Sequence, residues 1–194
     1  MTRTVNEIKA DVIRVAKAAR QEGLVVGSVG NFSCRDGGQV YITASGLSYE
    51  HQTPDDVVII DLDGKHLSGR HSASSEHRVH LAIYQAREDV QAVVHTHSLY
   101  ATAWSFLGVP LVLDSEEMAH FIGDCVEVAD FAPTGTDELA DHAVAALKRR
   151  QAVLLARHGP VSVGKSLEEA LNHHLMVERM AHISWLLKSA GHLE

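Results

Sequence analysis

The sequence predicts one α/β domain with a mainly antiparallel or mixed sheet held between helical layers. Three observations carry that expectation. Helix-period and strand-like stretches interrupt one another along the whole chain. Tight turn signals, Asp36-Gly37-Gly38 and Asp63-Gly64, separate short β-like runs in the manner of hairpins. The chain has 194 residues without an internal repeat, low-complexity tract or linker, which suits one domain over 1–194.

Thr4 followed by Glu7 is a capping-box pattern. Ile8, Val12, Val15, Ala16 and Ala19 then recur at helical spacing, giving an amphipathic helix that ends near Gly23. After the break Gly27-Ser-Val-Gly-Asn31, strands are expected over 31–34, 40–44 and 57–62. Residues 74–87 read as a helix, 92–95 as a short apolar strand, and 98–107 as a helix before Gly108 and Pro110. Residues 110–130 have no clear period. A helix over 136–150, strands over 152–156 and 161–163, and a long helix opened by Ser166 and Glu169 complete the chain.

A hydrophobic fraction of 45% with 22% charged residues is ordinary for a globular core. The net charge of −8 argues against a nucleic-acid or anionic-membrane partner, because phosphate-rich surfaces need clustered Lys and Arg. The two cysteines, Cys34 and Cys125, are expected to be reduced thiols. The stretch from Met1 to Asp11 carries no apolar signal core, and no apolar run approaches the ~20 residues that span a bilayer, so the cytoplasm is expected.

Histidine is the unusual component, with 14 residues. The sharpest feature is His95-Thr96-His97 after the apolar run Ala92-Val93-Val94. Side chains two apart in an extended segment share a face, so the two imidazoles can converge on one ion while Thr96 turns away. A catalytic metal site usually takes three protein ligands and keeps a position open. His158 is the best third candidate, because it also follows a short apolar strand and precedes Gly159-Pro160. His77 and His80, spaced i, i+3, are expected on an amphipathic surface; the adjacent His173 and His174 should face different ways.

Ser74-Ser75-Glu76 opens a helix, where free amides and hydroxyls suit a phosphate or carboxylate. Glu76 there reads either as a charge stabilising the helix dipole or as a general base beside a metal. Gly27-Ser-Val-Gly-Asn31 and Ala44-Ser45-Gly46 are further small, polar loops that read as turns or as amide cradles for phosphate.

Together, Gly27-Ser-Val-Gly-Asn-Phe-Ser33, Ile42-Thr-Ala-Ser-Gly46, Ser74-Ser-Glu76, Val93-Val-His-Thr-His97 and Leu155-Ala-Arg-His-Gly159 resemble the class II aldolase/adducin family, particularly its fuculose-phosphate aldolase branch. The resemblance implies a three-layer α/β/α domain, usually a homotetramer with interfacial sites. It implies Zn2+ or another divalent transition metal, one per subunit, on His95, His97 and His158, with Glu76 as catalytic base and displaceable ligand. Gly30, Asn31, Ser45, Gly46, Ser74 and Ser75 would hold the phosphate of a phosphorylated sugar. The implied reaction is reversible cleavage of a ketose 1-phosphate to dihydroxyacetone phosphate and an aldehyde. A divalent ion would stabilise the enediolate charge as a Lewis acid, with no Schiff-base lysine required.

The sequence departs from that branch in two places. The branch has a tyrosine proton donor in the segment corresponding to Leu111–Phe121, whereas this chain offers Asp114, Glu116, Glu117 and His120. The longer C-terminal tail of the branch has no counterpart after Glu194. Both touch the aldehyde half of the pocket. Pentulose-phosphate 4-epimerases, sugar-phosphate dehydratases and sugar-acid phosphate decarboxylases resemble the chain at the same motifs. A non-catalytic adducin-like binding module is the alternative of another class, and it would be expected to have lost ligands that are present here.

Overall fold

A computed structural model of the protein describes residues 3–192. The first helix, α1 (Val5–Gln21), begins at the expected capping box: the Glu7 amide donates to the Thr4 hydroxyl, and the Thr4 amide donates to the Glu7 carboxylate at 2.7 Å. The chain then forms β1 (Asn31–Asp36) and β2 (Gln39–Ile42), joined by a hairpin at Gly37-Gly38, followed by β3 (Val58–Asp61) and β4 (His66–Ser68). Next come α2 (His77–Ala86), β5 (Ala92–His95) and α3 (Leu99–Ser105). The remainder is α4 (Glu116–Phe121), β6 (Glu127–Ala129), α5 (Asp137–Leu147), β7 (Ala152–Leu155), β8 (Gly159–Gly164) and α6 (Leu167–Ser189).

The strands form one eight-stranded sheet in the order β4-β3-β2-β1-β5-β8-β7-β6. Every neighbouring pair is antiparallel except β6 with β7, which accounts for its mainly antiparallel character. The two-residue period of the strands sorts their side chains between the layers. Val93 of β5 and Val153 and Leu155 of β7 pack towards α2 and α5. Ala92 and Val94 face α1 and the first turns of α6, while Ala152 and Leu154 face α3, α4 and the middle of α6. The result is the expected α/β/α sandwich.

One strand and one helix lie outside the expected elements, and the strand implied by the Asp63-Gly64 hairpin is short. β4 is three exposed residues at the sheet edge, and β6 is three residues in the aperiodic 110–130 stretch. Within that stretch α4 is capped by the Ser115 hydroxyl, which accepts from the Met118 amide at 3.1 Å. The helix expected from Ser74 starts at His77, since residues 74–77 form a tight turn in which the His77 amide donates to the Ser74 carbonyl.

Candidate active site

Two strand ends meet at the centre of the sheet. β8 lies between β5 and β7, and His95 at the end of β5 is in register with Val161 of β8. His158 sits in the β7–β8 turn, where Arg157 takes a left-handed conformation (φ 58°) that reverses the chain. The turn is clamped against the His-Thr-His segment. A Cβ on Gly159 would stand 2.4 Å from the Thr96 carbonyl oxygen, so this position has no room for a side chain. The Pro160 carbonyl accepts from the Thr96 amide at 3.4 Å and from His95 Nδ1 at 2.9 Å.

The three imidazoles expected to share an ion come together. Their ring centroids are 5.1 Å apart for His95–His97, 4.8 Å for His95–His158 and 4.7 Å for His97–His158. Glu76, which precedes α2, joins them, with its Oε2 3.1 Å from His95 Nε2 and 3.4 Å from His158 Nε2. The four potential ligand atoms all lie within 4.8 Å of one another. Ligands around an ion bound tetrahedrally at ~2.0–2.1 Å stand roughly 3.3 Å apart, so a small contraction would suffice to hold one.

Hydrogen-bond logic points to the same conclusion. The Pro160 carbonyl can only accept, so a neutral His95 ring would carry its proton on Nδ1. Nε2 then turns a lone pair towards the Glu76 oxygen, and neither buried atom has a hydrogen-bond partner. Two acceptors 3.1 Å apart in a buried site oppose each other, a conflict that a metal ion on Nε2 or a proton converting His95 to an imidazolium resolves. Burial alone would raise the Glu76 carboxyl, but where His158 and His95 are protonated their hydrogen bonds and positive charge outweigh it and hold the group well below the ordinary carboxylate range. Partial desolvation, with the neighbouring His95 and His158, pushes His97 down to about 4. This donor set fits a divalent metal.

The small polar loops surround this cluster. An isolated β-bridge between Ala44 and Ala73 ties the Ser45-Gly46 loop to Ser74-Ser75, with the Ser45 amide donating to Ser72 and the Ser74 amide to Thr43. The Tyr49 hydroxyl donates to the Gly30 carbonyl at 2.6 Å and fastens the Gly27–Gly30 loop to the same group. Gly30 adopts φ +88°, and a Cβ there would stand 2.7 Å from the His95 carbonyl oxygen. Asn31 is paired with His95 across the β1–β5 ladder. Ser74 is buried and its hydroxyl accepts from the Glu76 amide at 3.3 Å, whereas Ser45, Gly46 and Ser75 are exposed. Asp114, Glu116, Glu117 and His120 are also exposed, in and before a helix packed on α6, and none joins the four-residue cluster.

One expectation is corrected. His80 is not a surface residue; it is fully buried, with Nδ1 2.6 Å from the Ser33 hydroxyl and Nε2 2.5 Å from the Asn31 amide oxygen. Hydrophobicity patterning treats histidine as polar and misses it, although its i+4 spacing from Glu76 and to Tyr84 marks one helix stripe. His173 and His174 do part company, the first bonding to the Val163 carbonyl and the second to the Thr96 hydroxyl, but both are buried. Glu178 was also overlooked: its carboxylate accepts from the amides of Tyr100 and Ala101 and caps α3.

Residues 10–185 match the family described as Class II Aldolase and Adducin N-terminal domain. The chain belongs to that family. This class II aldolase is 35% identical over 179 residues to the L-fuculose phosphate aldolase of Methanococcus maripaludis, covering 92% of this chain and 97% of the relative. It is 38% identical over 185 residues to the 5-deoxy-D-ribulose 1-phosphate aldolase of Bacillus thuringiensis serovar kurstaki, covering 94% and 86%. A solved structure of an L-fuculose 1-phosphate aldolase superposes with a TM-score of 0.92 at 36% identity, covering 98% of this chain and 90% of that one. The protein is therefore a lyase of the class II aldolase type, whose chemistry is aldol cleavage. Its family is metal-dependent, in keeping with the donor set at the two strand ends.

Proposed function

We propose that this aldolase cleaves a ketose 1-phosphate to dihydroxyacetone phosphate and an aldehyde, using zinc held by His95, His97 and His158 with Glu76 beside it. The observation that carries the reading is the convergence of Glu76 with the imidazoles of His95, His97 and His158, whose potential ligand atoms lie within 4.8 Å of one another. The two relatives named for L-fuculose phosphate and 5-deoxy-D-ribulose 1-phosphate support the substrate class. A bound divalent ion supplies Lewis-acid stabilisation of the negative charge that develops on the ketone oxygen as the carbon–carbon bond breaks.

The protein's own groups do the rest. The Pro160 carbonyl fixes the His95 tautomer, so that Nε2 is free to ligate. While Glu76 stays against His95 and His158 its carboxylate is ionised but a weak base. Moved away from those rings, the buried carboxylate would gain the basicity needed to carry a proton to or from the substrate carbon. Gly30, Asn31, Ser45, Gly46, Ser74 and Ser75 bind the phosphate through amides and small polar side chains. We also assign residues 1–194 to one domain, in a cytoplasmic homotetramer. The exposed apolar residues Leu99, Phe106, Leu107 and Val109 support assembly, and two free, buried cysteines support a reducing compartment. No helix among the described residues is long and apolar enough to cross a membrane.

The test is a panel of ketose 1-phosphates and 5-phosphates incubated with added zinc, manganese or cobalt, with released dihydroxyacetone phosphate trapped enzymatically. Release from a ketose 1-phosphate is expected. Epimerisation, dehydration or decarboxylation without triose phosphate would contradict the reading.

A further inference from the structure

We propose that Tyr84, Ser33 and His80 form a buried relay that fixes the orientation of the Asn31 amide, so that its NH2 group, and not its oxygen, faces the bound phosphate. The proposal rests on the reading of Asn31 as a phosphate-binding residue. The Tyr84 hydroxyl is 2.7 Å from Ser33 Oγ, Ser33 Oγ is 2.6 Å from His80 Nδ1, and His80 Nε2 is 2.5 Å from Asn31 Oδ1. All four side chains are buried, with relative exposures of 2% or less.

The direction of the chain follows from counting protons. Burial pushes His80 down to about 3, so at neutral pH its ring has one N–H and one lone pair. Ser33 is the only acceptor available to the Tyr84 hydroxyl among the described residues, so the phenol donates to Ser33. Ser33 then donates to Nδ1, the ring proton sits on Nε2, and Nε2 donates to the Asn31 oxygen. Turning the amide over would reverse every step and leave the phenol proton without an acceptor in a buried site, a costly arrangement. The relay therefore leaves the Asn31 NH2 as the outward group, next to His95 in the β1–β5 ladder. An anion needs donors, and an amide presenting its oxygen would repel it. Glu76, His80 and Tyr84 succeed one another at i, i+4 and i+8, so α2 and its N-cap carry both the carboxylate beside the metal site and the support for its anion pocket.

The test uses the metal-loaded protein and inorganic phosphate as the probe, with affinity from calorimetry and metal content measured in parallel. A hydrogen bond to a charged group is at stake, so His80→Leu is expected to weaken phosphate binding about tenfold while keeping its metal. Tyr84→Phe is expected to weaken it in the same direction by about threefold, because the chain loses its fixed direction and not its members. His80→Gln, whose amide can still donate to Asn31 Oδ1, should stay within about threefold of wild type. In cleavage assays KM should rise with kcat nearly unchanged. If Asn31→Ala weakens phosphate binding but Tyr84→Phe and His80→Leu do not, the relay is overturned and the phosphate pocket stands. If Asn31→Ala also binds as wild type does, the phosphate reading of Asn31 falls and takes the relay with it. Parallel loss of metal and phosphate in the relay variants would mean a purely structural role and also overturns the proposal. Should His80→Leu fail to fold, Tyr84→Phe, which removes a single oxygen, decides.

Discussion

The narrowest tolerance in the site is at Gly159, and Gly159→Ala is the perturbation that exposes it. The added methyl would stand 2.4 Å from the Thr96 carbonyl oxygen, with the Thr102 hydroxyl at 3.3 Å and His97 Cα at 3.4 Å. A comfortable carbon–oxygen contact is about 3.3 Å, so the His95–His97 segment and the β7–β8 turn must separate by about 1 Å. The obstructing atom is backbone, so no rotamer change relieves it. Overpacking of this kind costs about 1–3 kcal/mol, which for a chain of this length lowers the melting temperature by about 2–12 °C. The effect on the metal should be larger. Ligand distances must hold to about ±0.2 Å, so moving His158 away from His97 by several times that amount should weaken metal binding about 10–100-fold and lower turnover about 100-fold. Metal affinity by competition with a chelator, melting by calorimetry and initial rates at saturating zinc provide the readout. A variant with wild-type metal affinity and turnover would refute the claim that the two strand ends are held together by backbone contact.

Further outcomes follow from the same geometry. Glu76→Gln should retain its metal, because three imidazoles remain, and lose about 10²–10⁴ in kcat; unchanged turnover would remove Glu76 from the proton transfer. His95→Ala should lose metal occupancy and activity together, as elemental analysis would report, since two imidazoles hold an ion poorly. Stability should also fall with acid. His80 and His174 are fully buried with values of about 3 against an ordinary value near 6.5, so the unfolded chain binds more protons below that value. Their contribution is complete above about pH 6.5 and is lost progressively as pH falls towards 3, at about 2 kcal/mol each by pH 5. Urea titrations of wild type and His174→Asn between pH 7 and pH 5 measure it, and an identical pH slope in the two proteins would contradict the assignment.

Much of this arrangement could be read from sequence because its signals are local. The Thr4–Glu7 box, the Gly37-Gly38 hairpin and the apolar runs ending at His95 and before His158 each depend on residues a few positions apart. Convergence of the three histidines is a matter of strand order, which periodicity does not encode; the shared strand-end position of His158 and the co-occurrence of several motifs point to it. The failures have the opposite cause. β6 is a three-residue strand whose existence depends on pairing with β7, and the extent of β4 beyond its hairpin turn depends on pairing with β3, not on their own composition. His80 is buried because distant partners, Ser33 and Asn31, satisfy both its nitrogens, and His174 is held by Thr96 at Nε2; no local pattern announces either contact. The Asp114–His120 segment remained opaque for the same reason: its helix is fixed by contacts with α6, including the Arg179–Glu117 pair at 3.2 Å.

The most direct test of the central claim is the metal stoichiometry of the wild-type protein and of His158→Ala, purified identically and analysed by inductively coupled plasma mass spectrometry. The geometry calls for one divalent transition metal per wild-type chain and little or none in the variant, with chelation of the wild type abolishing triose-phosphate release. Full occupancy in His158→Ala, or cleavage that persists in a metal-free wild type, would contradict it.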